Sequence, residues 1–225
     1  MKKLVTVVGA TVLITFSAAA QSETPKMEVA VDYSFAHFNP GTNIFHTANI
    51  NGGGGAFVVN FGDWVGVKAD FQGYGSNTYT HTFLAGTTLP NGTVLVNNYQ
   101  SNVQANLFTY TFGPVIKKHT GVFQPFVEVL LGAAHSNGYA NLRKNLDIVS
   151  GSNNNNGFAM VVGGGIDLRV NHTITIRPGE ADYLLTRFGF NYHPPAGSGF
   201  PTLSTQNQNS FRYLAGVDFT FGGNK

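Results

Sequence analysis

Cysteine is absent from all 225 residues, so disulfides cannot hold an exported product together, and no lipid-modified cysteine can follow the leader. Charge is also scarce: Asp, Glu, Lys and Arg make up 11% of the chain, against roughly 25% in ordinary soluble proteins. Without Lys2 and Lys3, eleven basic residues face eleven acidic ones, a neutral balance that makes nucleic acid an unsuitable partner. Long apolar runs are missing as well. Beyond the first twenty residues no stretch is apolar enough for a transmembrane helix.

Those first residues have their own logic. Lys2 and Lys3 give a basic start, Leu4 to Phe16 an apolar core, and Ala18-Ala19-Ala20 a small-residue cleavage site before Gln21. Residues 1–20 therefore read as a secretory signal peptide, its apolar run too short to span a bilayer. The expected divisions after it are a short segment at 21–26, one domain at 27–222 and a tail at 223–225.

What the chain has in abundance is glycine, at 28 residues, and aromatics, at 13%. It also has alternation. From Ser210 to Gly222 the odd positions run Phe211, Tyr213, Ala215, Val217, Phe219 and Phe221, while the even ones run Arg212, Leu214, Gly216, Asp218 and Thr220. That is a strand of period two with one apolar and one polar face. The same pattern recurs over Met27–Phe38, Asn49–Phe61, Trp64–Gly75, Leu107–Ile116, Val122–His135, Phe158–Val170 and Thr173–Arg187. The run Gly52 to Gly55 is followed by more strand and not by a helix, which argues against a phosphate loop and for a tightly bent sheet. Pro178-Gly179 cannot continue a ladder and predicts a bulge.

Eight strands result, joined alternately by short turns and long loops. The predicted fold is all-β: an eight-stranded antiparallel up-and-down transmembrane barrel with four long outer loops and three short periplasmic turns. Tyr74–Asn106, Ser136–Gly157 and Phe188–Asn209 are read as long polar loops, and Lys117-Lys118-His119 as a turn.

Charge placement decides which face looks outward. The polar face carries Glu28, Asp32, Lys68, Asp70, Glu128, Asp167, Arg169, Arg177, Glu180, Asp182, Arg212 and Asp218, over half of the 22 charges left after the leader. A soluble barrel of this size would also need charged loops, and three of its four long loops have none. Interleaved with Gly, Ala and Thr, these residues fit a narrow interior filled by side chains. The expected lumen charge network comprises Lys68, Asp70, Glu128, Asp167, Arg169, Arg177, Glu180, Asp182 and Arg212, with Glu180 and Asp182 grouped about Arg177. Eight acids against four bases leave an acidic excess, so some carboxylates are expected to share protons or water.

The segments FTYTFGPVIKK, PFVEVLLGAAH, FAMVVGGGIDLRV, EADYLLTRF and SFRYLAGVDFTFG resemble the OmpA/OmpX-type small outer-membrane barrels over Met27 to Gly222. The resemblance implies a location in the bacterial outer membrane, contact with its lipid and a structural or surface-interaction role. It also implies that Gly216, Phe219 and Phe221 form the assembly signal read by the barrel assembly machinery, although Gly222 to Lys225 follow the last Phe. No periplasmic domain follows the barrel, so a wall-anchoring role is not expected.

Catalytic and metal chemistry find little support. His37, His46, His81, His135 and His193 fall near the loop rim without ligand spacing, and no G-x-S-x-G sequence is present. No catalytic residue, metal or cofactor is expected, and the chain is read as a non-enzyme. The alternatives are a small pore or ligand-uptake barrel and a lipid-modifying enzyme at the rim. Tyr33, Trp64, Tyr74, Tyr110, Tyr183 and Tyr213 are expected in an interfacial girdle. The neutral loops are the expected contact for an unidentified extracellular ligand, and the barrel is expected to be a monomer.

Overall fold

A computed structural model describes residues 24–39, 46–138, 141, 155–189, 191–200, 202–204 and 207–222. The predicted signal peptide, residues 21–23 and the tail at 223–225 lie outside the described residues. The strands are β1 (Met27–Phe38), β2 (Ala48–Asn60), β3 (Val65–Phe83), β4 (Tyr99–Lys117), β5 (Phe123–His135), β6 (Asn156–Arg169), β7 (Ile174–Phe188), β8 (Asn191–Tyr192), β9 (Leu203–Ser204) and β10 (Gln208–Phe221). Eight of them close in the order β1-β10-β7-β6-β5-β4-β3-β2, while β8 and β9 form a two-residue pair in the last long connection. β1 is the seam, pairing antiparallel with β10 from Met27↔Phe221 and with β2 from Met27↔Val59. Closure satisfies the ladder on every strand, which is what a sheet in hydrocarbon requires.

Alternation places the faces. Phe112 is 63% exposed on the outside, whereas Asp70 on the neighbouring strand is fully buried inside. Val31, Phe71, Val127, Leu131 and Phe211 share the outward face, and Glu28, Asp32, Glu128 and Arg212 the inward one. Moving one such apolar side chain from water into lipid contributes about 1.5–3 kcal/mol, so a band of them favours the membrane decisively.

Inward glycines allow the tight curvature. A Cβ on Gly54 would lie 2.0 Å from the Phe71 carbonyl oxygen, so β2 and β3 approach as they do only without side chains there. The bulge predicted at Pro178-Gly179 is present: opposite it the β10 register shifts between Leu214 and Gly216, and the β6 register between Ile166 and Leu168. Residues Thr175 and Arg177 face inward before it, and Glu180 and Asp182 after it, so the bulge exchanges odd for even positions.

The stretch predicted as a long polar loop is largely strand. β3 runs to Phe83 and β4 begins at Tyr99, so the turn between them covers only 84–98. A register shift between Tyr74 and Asn77 changes the inward parity, after which Tyr79 and Phe83 point inside with Val103 opposite. Thr and Tyr suit such a ribbon because their side chains stack well on a pleated surface.

Candidate functional site in the barrel lumen

The interior is a column of ion pairs below a layer of apolar side chains. At the short-turn end Glu28 of β1 accepts from Asn60 Nδ2 at 2.8 Å and lies 3.0 Å from His119 Nε2. Lys117 Nζ donates to the other Glu28 oxygen and stands 2.7 Å from Asp167 Oδ2. His119 Nδ1 is 2.9 Å from the Asp63 carbonyl oxygen, tying two short turns to the base of the column.

Arg177 occupies the next level, facing inward just ahead of the bulge. Its Nε and Nη2 donate to Asp167 at 2.8 and 3.0 Å, Nη2 reaches Asp218 at 2.7 Å, and Nη1 reaches Glu180 at 2.7 Å. Bidentate guanidinium–carboxylate pairs of this kind fix orientation as well as charge. Lys68 then bridges Glu128 at 2.8 Å and Glu180 at 3.0 Å. The Phe126 ring lies against both cations, 4.5 Å from Arg177 Cζ and 5.7 Å from Lys68 Nζ. Highest in the column, Arg212 holds Asp182 at 2.8 Å and Asp70 at 2.7 Å, and Gln72 links Asp70 to Asp32.

Two carboxylate triads, Glu28–Asp167–Asp218 and Glu128–Glu180–Asp182, bring oxygens within 4.8 Å of one another. Protein cations already occupy them: Lys117 sits among the first, Lys68 and Arg212 among the second. Eight buried acids against four Lys and Arg leave acid in excess, and Glu128, Asp182 and Asp218 each keep one buried oxygen with no hydrogen-bond partner. Ions buried this way cost several kcal/mol each unless paired.

Above the Ser34–Tyr74 hydrogen bond at 2.8 Å the interior changes character. Ile50, Leu107, Leu130, Val161, Leu184 and Phe188 fill the space, joined by Tyr79, Phe83 and Val103 from the long hairpin. Phe200, from the last long connection, stacks on Phe83 with ring centroids 5.0 Å apart.

The family profile described as "Outer membrane protein beta-barrel domain" matches residues 6–189. The chain belongs to that family. Its architecture agrees with the OmpA/OmpX-like resemblance, and membership places it in the bacterial outer membrane. No curated protein matches it. Among solved structures, OprG from Pseudomonas aeruginosa is similar at 12% identity and a TM-score of 0.53, over 90% of this chain and 99% of that one. Ail, the attachment invasion locus protein of Yersinia pestis, is similar at 13% identity and a TM-score of 0.46, over 88% and 99%. Neisserial surface protein A follows at 11% and 0.49, over 87% and 97%. Identities this low show a shared fold only.

Within this outer-membrane barrel, Lys68, Asp70, Glu128, Asp167, Arg177, Glu180, Asp182 and Arg212 are brought together in the lumen. Arg169 does not join them. It lies half-buried at the short-turn rim, where its Nη2 donates 2.7 Å to the His119 carbonyl, and it forms no ion pair among the described residues. Asp182 pairs with Arg212 and not with Arg177, because β10 adjoins β7 and sets Arg212 opposite Asp182. Lys117 and His119, expected in a turn, belong to the column; Lys117 shares parity with Thr109, Thr111, Gly113 and Val115, which was the available signal.

The girdle also needs one correction. Tyr33, Trp64, Tyr110, Tyr183 and Tyr213 face outward, but Tyr74 is 2% exposed and points into the lumen. His37 lies beside Asn49 and His135 beside Asn156, each at 2.8 Å, and among the described residues no three rim histidines gather at ligand distance. Gly216 faces inward against β1, where a Cβ would lie 2.3 Å from the Val31 carbonyl oxygen, and Phe219 and Phe221 face outward.

Proposed function

We propose that this protein is a closed barrel with a structural and surface-interaction role, and that its lumen does not conduct. The observation that carries this reading is the filled interior, with the ion-pair column below and the Phe83–Phe200 layer above. A steady water-filled path would have to break buried pairs and part packed aromatics together. The reading is non-enzymatic: the charged side chains of the lumen are held in ion pairs with one another, and the rim histidines are dispersed.

The leader at 1–20 directs export, and β10, with Gly216, Phe219 and Phe221, presents the assembly signal to the barrel assembly machinery. The folded barrel works as a monomer. Its long β3–β4 hairpin, with no Asp, Glu, Lys or Arg from Phe71 to Ile116, is the surface offered to an extracellular ligand. Planar-bilayer recording of the refolded mature chain tests the central point. Baseline current with rare, irregular openings is expected, and steady channels of reproducible size would replace this reading with the pore.

A further inference from the structure

The outer wall carries a groove of about 210 Å³ near the short-turn rim, lined by Trp64, Ile116, Lys118, Pro125, Phe126 and Val127. Ile116 and Val127 are direct partners across β4 and β5, and both are more than half exposed on the lipid-facing side. Trp64 stands beside them from the turn between β2 and β3 and is 55% exposed. Phe126, turned inward, supplies the floor. Pro125 adds a flat apolar edge, and its carbonyl accepts the Lys118 N–H at 3.0 Å, which fixes the chain at the rim.

Two features make this groove more than general lipid-facing surface. The first is its chemistry: the apolar side chains of β4 and β5, an indole and an ammonium line one groove. The second is the state of that ammonium. Lys118 is exposed and forms no ion pair among the described residues, in contrast to buried Lys117 beside it. The carboxylate nearest in the chain to Trp64, Asp63, accepts Thr24 Oγ1 at 2.7 Å. An uncompensated cation above an apolar groove complements one class of molecule, an amphiphile with an anionic head.

We infer that this groove binds an anionic phospholipid, with an acyl chain along Ile116, Pro125 and Val127 and the headgroup phosphate on Lys118. The inference rests on the reading of the chain as an outer-membrane barrel whose short turns lie at the inner leaflet. Tryptophan rings favour the membrane–water boundary, and Lys118, lining the same groove as Trp64, would then lie at the level of lipid phosphates. A single lysine near a membrane surface enriches an anionic lipid roughly fivefold.

Trp64 is the chain's one tryptophan, so its fluorescence reports this groove without interference. The test uses the mature barrel in phosphatidylcholine bilayers containing a minor fraction of either brominated phosphatidylglycerol or brominated phosphatidylcholine. Stronger quenching by the brominated phosphatidylglycerol is expected in the wild type. Lys118→Gln should bring the two lipids to the same level, while Lys26→Gln, which removes a rim charge outside the groove, should keep the difference. Equal quenching in the wild type would overturn the inference and leave the membrane reading intact, as would equal losses in both variants. Absence of quenching by either lipid would overturn the membrane reading and the groove with it. Unboiled gel mobility confirms that each variant is folded.

Discussion

Lys117 and Lys118 are neighbours in sequence and opposites in environment: Lys117 Nζ lies 2.7 Å from Asp167 in the closed lumen, and Lys118 stands exposed at the rim. Strand parity alone separates them. Lys117→Ala should therefore leave Glu28 and Asp167 buried without their shared cation, a loss of about 3–5 kcal/mol. Lys118→Ala should change stability by no more than about 0.5 kcal/mol. Urea unfolding in phospholipid vesicles, followed through Trp64, distinguishes the pair; similar midpoints for both variants would contradict the parity assignment.

Arg177 and Glu180 both face the axis, one on either side of the bulge in β7. Arg177→Met keeps the backbone but takes a cation from Asp167, Asp218 and Glu180 at once, and should destabilise the barrel by about 3–5 kcal/mol. Deleting Pro178 should do less harm. Without the extra residue the alternation runs straight from Arg177 to Glu180 and Asp182, all still facing inward, and the ladders to β6 and β10 become regular. Both variants should show a folded band on an unheated gel, and Arg177→Met should unfold at the lower urea concentration; loss of the folded band on deleting Pro178 alone would mean that the bulge does more than set parity.

These cases show which parts of the fold the sequence makes legible. Period two exposes a strand while one parity stays inside, so β1 and β10 are readable nearly to their ends. Pro178 announces the parity change in β7. Nothing announces the one after Tyr74: Tyr74 faces inward on an even position and Tyr79 on an odd one, so the extended hairpin looks like a polar loop with scattered aromatics. The apolar layer is hidden for a related reason. Leu130 faces in and Leu131 faces out, and with both sides apolar the pattern carries no contrast. Partner identity within the column is set by strand order in space, which is why Asp182 could be seen as inward but not assigned to Arg212.

Curvature gives a third expectation. A Cβ on Gly132 would lie 2.0 Å from the Tyr110 carbonyl oxygen and 2.8 Å from Thr111 Cα, both backbone atoms that cannot move aside. Gly132→Val should prevent β4 and β5 from pairing and abolish the folded band in detergent. At Gly62 nothing lies within 4 Å of an added Cβ, so Gly62→Ala should fold as well as the parent. Normal mobility of Gly132→Val would mean that the inner wall has room that this geometry denies.

The aromatic pair at the top of the lumen supplies the last. Phe83 and Phe200 are each buried, at 3% and 5% exposure, and their rings are stacked with 14° between planes. Ser198 reinforces the contact, its carbonyl accepting the Thr88 N–H at 2.8 Å. If this pair holds the last long connection over the barrel mouth, Phe83→Ala and Phe200→Ala should not act independently. A double-mutant cycle on unfolding free energy should give a coupling of about 0.5–1.5 kcal/mol. Proteolysis then reads out the consequence. Each single variant should make the segment after Phe188 more accessible to protease from the loop side, the double variant should add little to either, and cleavage before Phe83 should stay unchanged. Additive energies with unaltered proteolysis would show that Phe200 only fills space and does not secure the connection.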